Sequence, residues 1–145
     1  MKSLKAIFAI SLIFISLILI TVIATIRAEV IEEDTVQTGE GVIKALQTGV
    51  ANKVSAYFAS NINFFIPDNP IYSDSTDAAQ SLATLFRMHP VQDFEQESLL
   101  PGNAANISYL KGTLHTQNQD FALYATIYNG KVEQFDLNAL KNRPD

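Results

Sequence analysis

A chain of 145 residues with a formal net charge of -5, 48% hydrophobic residues and no cysteine sets firm limits. Disulfides, zinc–thiolate sites, cysteine nucleophiles and a lipidated N-terminal cysteine are excluded, and a domain of this size buries an adequate core without such staples. Residues 1–28 hold Lys2, Lys5 and Arg27 but no acid, so the remainder sets seven basic groups against fifteen acidic ones, a net of -8 that repels nucleic acid and anionic membranes.

Lys2 and Lys5 precede residues 6–26, a run of 21 without charge. The pattern is that of a secretory signal, yet the run exceeds an ordinary signal core and is long enough to span a bilayer. Cleavage after Ala24 or Ala28 would have Val22 or Ile26 at the −3 position, and neither is small. Both outcomes place the rest of the chain outside the cytoplasm, with Glu29, Glu32, Glu33 and Asp34 crowding the far end of the span. Residues 1–28 are therefore a signal peptide or membrane anchor, 29–35 an acidic spacer, 36–140 a single domain and 141–145 a tail.

Asp34 with Gln37 has the spacing of a capping box and predicts a helix to about Gln47, with Val36, Ile43 and Leu46 on its buried side. Gly39 and Gly41 weaken it by about 1 kcal/mol each relative to alanine, and Gly49 suits a left-handed position just past its end. A second short helix is expected to carry Val50, Val54, Tyr57 and Phe58 as an apolar stripe. Ile62, Phe64 and Ile66 then alternate with Asn63 and Phe65, predicting a strand that Pro67-Asp68-Asn69-Pro70 ends, with Ile71-Tyr72 as a strand stub. Asp74 is the best N-cap for a third helix, whose apolar face is Ala78, Leu82, Leu85, Phe86 and His89 before Pro90 stops it. Residues 94–100 read as a strand, and Pro101-Gly102-Asn103 turns the chain into Ile107–Thr116, Phe121–Tyr128 and residues 132–137. The last two runs flank Asn129-Gly130, a type I′ hairpin signal. Helices followed by mostly antiparallel strands make an α+β domain.

The run Ala56-Tyr57-Phe58, residues 62–67, Ile71-Tyr72-Ser73, Leu85-Phe86 before His89-Pro90, Phe94, and Lys111-Gly112-Thr113-Leu114 resemble a family of small secreted bacterial domains of unknown function. The resemblance covers about residues 36–137. It implies the nuclear-transport-factor-2-like (cystatin-like) fold, a cone-shaped curved antiparallel sheet wrapped around helices, often with a pocket. It implies no activity, since one fold hosts many functions. The Gln117–Asp120 connection departs from the pattern in lacking a glycine.

No catalytic, metal or phosphate motif is present, and no cofactor is implied. Asp93, Glu95 and Glu97 share one strand face, spaced about 7 Å apart, and read as a solvated acidic stripe before a cation site. His89 suits the helix C-terminus, and His115 has no metal-ligand partner at i+4. Tyr57, Phe58, Phe64, Phe86, Leu114, Leu123 and Phe135 should occupy the space between sheet and helices, as core or as walls of a pocket for a small apolar ligand. Alternation puts Leu110, Gly112, Leu114, Phe121, Leu123, Ala125 and Ile127 inward, leaving Tyr109, Tyr124 and Tyr128 on the outer face as interface candidates, for a homodimer in the first place. The expected function is that of a non-enzymatic extracytoplasmic binding or interaction module. The alternatives are a small cofactor-free isomerase or hydrolase-like enzyme working in the cone, and a membrane-tethered structural subunit. Carboxylates Asp93 or Glu95 turned inward beside Tyr72 or Tyr109 would favour the enzyme.

Overall fold

The computed structural model describes residues 2–67 and 72–141. Among these described residues three helices, α1 (Lys2–Thr48), α2 (Ala51–Ser55) and α3 (Ser75–Met88), accompany six strands. The strands are β1 (Phe58–Phe65), β2 (Tyr72–Asp74), β3 (Val91–Pro101), β4 (Ile107–Thr116), β5 (Phe121–Tyr128) and β6 (Lys131–Ala139). They form one sheet in the order β2-β1-β6-β5-β4-β3. Every pairing is antiparallel except that of β1 with β6. Register shifts interrupt β3 against β4, β5 against β6 and both ladders of β1. Bulges of this kind bend strands, and they curve the sheet around the helices.

The meander forms as the sequence predicts, with Asn129 and Gly130 both at positive φ in the β5–β6 turn. The glycine-free β4–β5 connection is held in another way. The hydroxyl of buried Thr116 donates to the Gln119 carbonyl and accepts the Gln119 N–H at 3.1 Å. A side chain closes this loop, so no residue in it needs the left-handed region. Helix α3 also follows expectation. The Asp74 carboxylate caps it by accepting N–H bonds from Thr76 at 2.7 Å and Asp77 at 3.4 Å, and these bonds hold its pKa below the usual carboxylate value.

Three local expectations are corrected. Asp34 opens no helix, because α1 is continuous from Lys2 and includes the residues read as an acidic spacer. At ~1.5 Å per residue the helix is about 70 Å long. Its stretch Ser3–Ile23 is apolar and long enough to cross a membrane, with mean hydropathy 3.0 and none of it buried. Second, α2 ends at Ser55, and Phe58 starts β1 instead of completing a helical stripe. A register shift between Phe58 and Asn63 breaks the strand's alternation there, so the spacing of apolar residues mimicked a helix. Third, Val50 is the exposed N-cap of α2 and lies outside the core. Ile71 and the expected turn residues 68–70 lie outside the described residues, as do 142–145 of the tail.

Residues 35–48 of α1 lie on β3, β4 and β5, and α3 lies on β1 and β2. Gly39 makes the first contact close: a Cβ there would stand 2.6 Å from Leu99 Cδ1 and 3.3 Å from Ile127 Cδ1. The glycine that costs helix propensity is thus what lets α1 seat on the sheet. Gly49, at φ 66°, ends the helix as predicted. Between the layers sits one apolar core that includes Leu46, Val54, Leu82, Phe94 and Leu110.

Candidate functional site

The seven residues expected between sheet and helices are there. Phe58, Phe64, Phe86, Leu114, Leu123 and Phe135 are buried in the core, and Tyr57 packs against it. Phe64 and Phe135 stack at 5.6 Å and 10°, with Phe58 tilted against both at 5.8 and 5.5 Å. Neighbours on the parallel β1–β6 ladder put these rings side by side. Phe86 also borders a shallow surface hollow of about 340 Å³ beside Gly49 and Arg87.

No ionisable group joins them: among the described residues the buried polar side chains are Thr35, Ser108 and Thr116. Asp93 and Glu95 are exposed on the outer face, and Tyr72 lies against the core. Among the described residues, then, no carboxylate is buried in this interior.

The outer face carries the chemistry instead. Register aligns Lys111 with Tyr124, Tyr124 with Asp136, and Asp136 with Phe65 across four strands. The adjoining row runs Tyr109, Thr126, Gln134, Asn63. Tyr109 and Tyr124 stack at 6.2 Å and 19°, and Lys111 Nζ lies 5.8 Å from the Tyr124 ring centroid. This stack is diagonal across the β4–β5 pair and leaves both rings half-buried. Tyr128 stands further along β5 and is exposed. All three expected interface tyrosines thus share one face. At its β1–β6 side lies a groove of about 490 Å³ lined by Asn63, Phe65, Gln134, Asp136 and Asn138.

At the opposite edge the strands assemble a cluster that sequence spacing hid. His115 Nδ1 is 3.1 Å from Asp120 Oδ2, and its Nε2 is 3.4 Å from Glu95 Oε2. Partial burial alone would push the His115 pKa down. The hydrogen bonds and charges of Asp120 and Glu95 outweigh it, and the pKa is raised. Glu97 accepts a bond from the Thr113 hydroxyl at 3.3 Å, and Asp93 accepts the Phe94 N–H at 2.8 Å. The acidic stripe is thus partly engaged with its own strands, and among the described residues no three metal-binding side chains converge. His89 sits elsewhere, capping α3, its ring edge-on to Phe121 at 5.4 Å and its Nδ1 buried without a partner.

Sequence reasoning did not single out Phe65, Asn63, Gln134, Asp136 and Asn138 as a site. The alternation of Gln134, Asp136 and Asn138 was a readable signal that they share a face, but the parallel neighbour that supplies Phe65 was not.

A family model described as a domain of unknown function (DUF4783) matches residues 39–141. A DUF4783 family protein from Bacteroides uniformis superposes with a TM-score of 0.62 at 20% identity, covering 71% of this chain and 97% of that one. A cystatin-fold protein from Novosphingobium aromaticivorans gives 0.54 at 10%, covering 72% and 97%. An NTF2-like protein of unknown function from Cytophaga hutchinsonii gives 0.52 at 11%, covering 71% and 87%. At these identities the likeness is one of fold, and the fold is the cystatin-like, NTF2-like one that the sequence resemblance implied. No curated protein matches the chain.

Proposed function

The chain belongs to the DUF4783 family, domains of unknown function with an NTF2-like fold, and on that premise we propose that it is an extracytoplasmic, non-enzymatic binding module. Its contact surface is the outer face of the sheet, and its first partner is a second copy of itself. The observation that carries this reading is the separation of roles between the two faces. The concave face carries the buried rings of Phe58, Phe64 and Phe135, whereas the outer face gathers Tyr109, Tyr124, Lys111 and Tyr128. Tyrosines offer large contact area while their hydroxyls stay satisfied at a wet boundary. A two-fold interface would use the patch twice. The apolar run after Lys2 and Lys5 supports export.

The test is a photo-crosslinker placed at Tyr124 and, separately, at Arg87 on α3, with irradiation of intact cells. The reading expects a discrete adduct, of dimer mass or larger, from position 124 and none from 87. No adduct at 124, or equal adducts at both, would end it.

A second reading, a tethered subunit, is favoured by the continuity of α1. One helix carries the apolar stretch Ser3–Ile23 into the segment seated on the sheet. Retained, it would hold the domain on a stiff strut. Intact-mass measurement separates the two: a soluble species beginning near Thr25 or Glu29 means cleavage, and a full-length species confined to membranes means a tether.

A further inference from the structure

We propose that the groove between β1 and β6 on the outer face is a saccharide subsite, with Phe65 as its stacking platform. The inference rests on the outer face being the contact surface and names the chemistry of one part of it. Phe65 is 38% exposed, although its neighbours Phe64 and Ile66 are almost fully buried. A ring with more than a third of its surface exposed, on a strand whose other outward residues are Ser60, Asn61 and Asn63, stands outside the core. Around it stand Asn63, Gln134, Asp136 and Asn138, which line the same groove.

These polar groups are partly set in place. The Gln134 amide donates to Asp136 Oδ2 at 2.6 Å, and Thr126 Oγ1 donates to Gln134 Oε1 at 3.5 Å. That chain fixes which end of the Gln134 amide faces the carboxylate. It leaves the second Gln134 N–H and the other Asp136 oxygen open. Among the described residues neither Asn63 nor Asn138 has a side-chain hydrogen-bond partner, so each amide presents two donors and one acceptor.

The mixture selects the ligand class. A sugar hydroxyl donates and accepts at once, and therefore favours sites where amides and a carboxylate alternate. Its ring presents a C–H face that packs flat on an aromatic side chain. A divalent cation would want several carboxylates, and the groove has one, already engaged by Gln134. An anion would want a basic group, and the lining has none. An extended peptide would want unpaired main chain, but β6 is laddered on both sides, to β1 and β5. The groove volume of about 490 Å³ lies within the ~300–1,000 Å³ of small-molecule sites. An uncharged polyhydroxylated ring satisfies every group present and requires none that is missing.

The experiment is saturation-transfer NMR on the full chain in a detergent without a sugar headgroup. Maltotriose, cellotriose and triacetylchitotriose serve as probes at millimolar concentration. At least one should receive saturation, focused on a single ring, and Phe65→Ala should weaken that binding by roughly tenfold or more. The double variant Asn63→Ala/Asn138→Ala, which leaves the platform and the fold alone, should weaken it as well, whereas Lys53→Ala on α2 should not. Absence of transfer to all three probes overturns the proposal, and so does transfer that both groove variants leave intact. Self-association through Tyr124 is measured separately by sedimentation. A dimer that binds no sugar would sink this inference alone, while a monomer that binds sugar at Phe65 would leave it standing without the dimer.

Discussion

Substituting Gly112 by alanine probes the close approach of β3 to β4. Gly112 faces the core in the middle of β4, between Gln96 and Leu123 in register. A Cβ at this position would run into the Glu95 carbonyl oxygen and the tip of the Phe94 ring, with Phe94 Cε2 at 2.8 Å. The ring is almost fully buried and the carbonyl is backbone, so neither yields without moving β3. Overpacking of this kind costs about 1–3 kcal/mol, and two rigid obstacles place it at the upper end. Loss of glycine's freedom in the unfolded chain returns about 0.4–1 kcal/mol. The net expectation is a loss of about 2 kcal/mol, which for a domain near 100 residues lowers the melting temperature by roughly 8–16 °C. Thermal and urea denaturation followed by circular dichroism would read it. In the Gly112→Ala background, Phe94→Leu should cost less than it does in the wild type, because shortening the side chain relieves one of the two clashes. The coupling should be at least about 0.5 kcal/mol. A Gly112→Ala protein within about 0.5 kcal/mol of wild type, or strict additivity with Phe94→Leu, would show that the ring does not lie over the glycine.

Phe86→Ala should cost about 3–5 kcal/mol as the truncation of a buried aromatic, while exposed Glu97→Ala should stay within about 0.5 kcal/mol; equal denaturation midpoints would invert the assignment of faces. His115 gives a pH signature. Its folded pKa is raised, so its stabilising contribution is complete below the unfolded value of 6.5 and fades as pH climbs through the folded value. His115→Gln should therefore lose more stability at pH 5.5 than at pH 8.5, by less than about 1 kcal/mol because the side chain is about one-third exposed. A pH-independent difference would mean that Glu95 and Asp120 do not hold the imidazolium.

The elements legible in the sequence are those specified by neighbours in the chain. Asn129-Gly130 announced the β5–β6 hairpin, and Asp74, the apolar face through Phe86 and Pro90 delimited α3. Strict alternation in β4 and β5 told inside from outside, and with it placed Tyr109, Tyr124 and Tyr128 on one outer face. What stayed hidden depends on distant segments meeting. The parallel pairing of β1 with β6 sets Phe65 beside Asp136, about seventy positions apart, and no local pattern encodes it. His115 looked isolated because Glu95 reaches it across a strand ladder and Asp120 across a loop. Gly39 read as a helix weakness because its benefit, the approach of Leu99 and Ile127, is tertiary. The start of β1 was misread since a bulge after Phe58 spoils the period of two on which strand recognition relies.

The central claim is that the outer sheet face, not the interior, is where this protein meets others, and sedimentation of the wild type beside Tyr124→Glu tests it most directly. Tyr124 points away from the core, between Lys111 and Asp136 in register, so a glutamate there leaves the fold intact and sets charge against charge across a two-fold patch. The account predicts a concentration-dependent dimer for the wild type and a folded monomer for the variant, with unchanged circular dichroism. A wild type that remains monomeric at every concentration, or a Tyr124→Glu variant that dimerises as before, would contradict it.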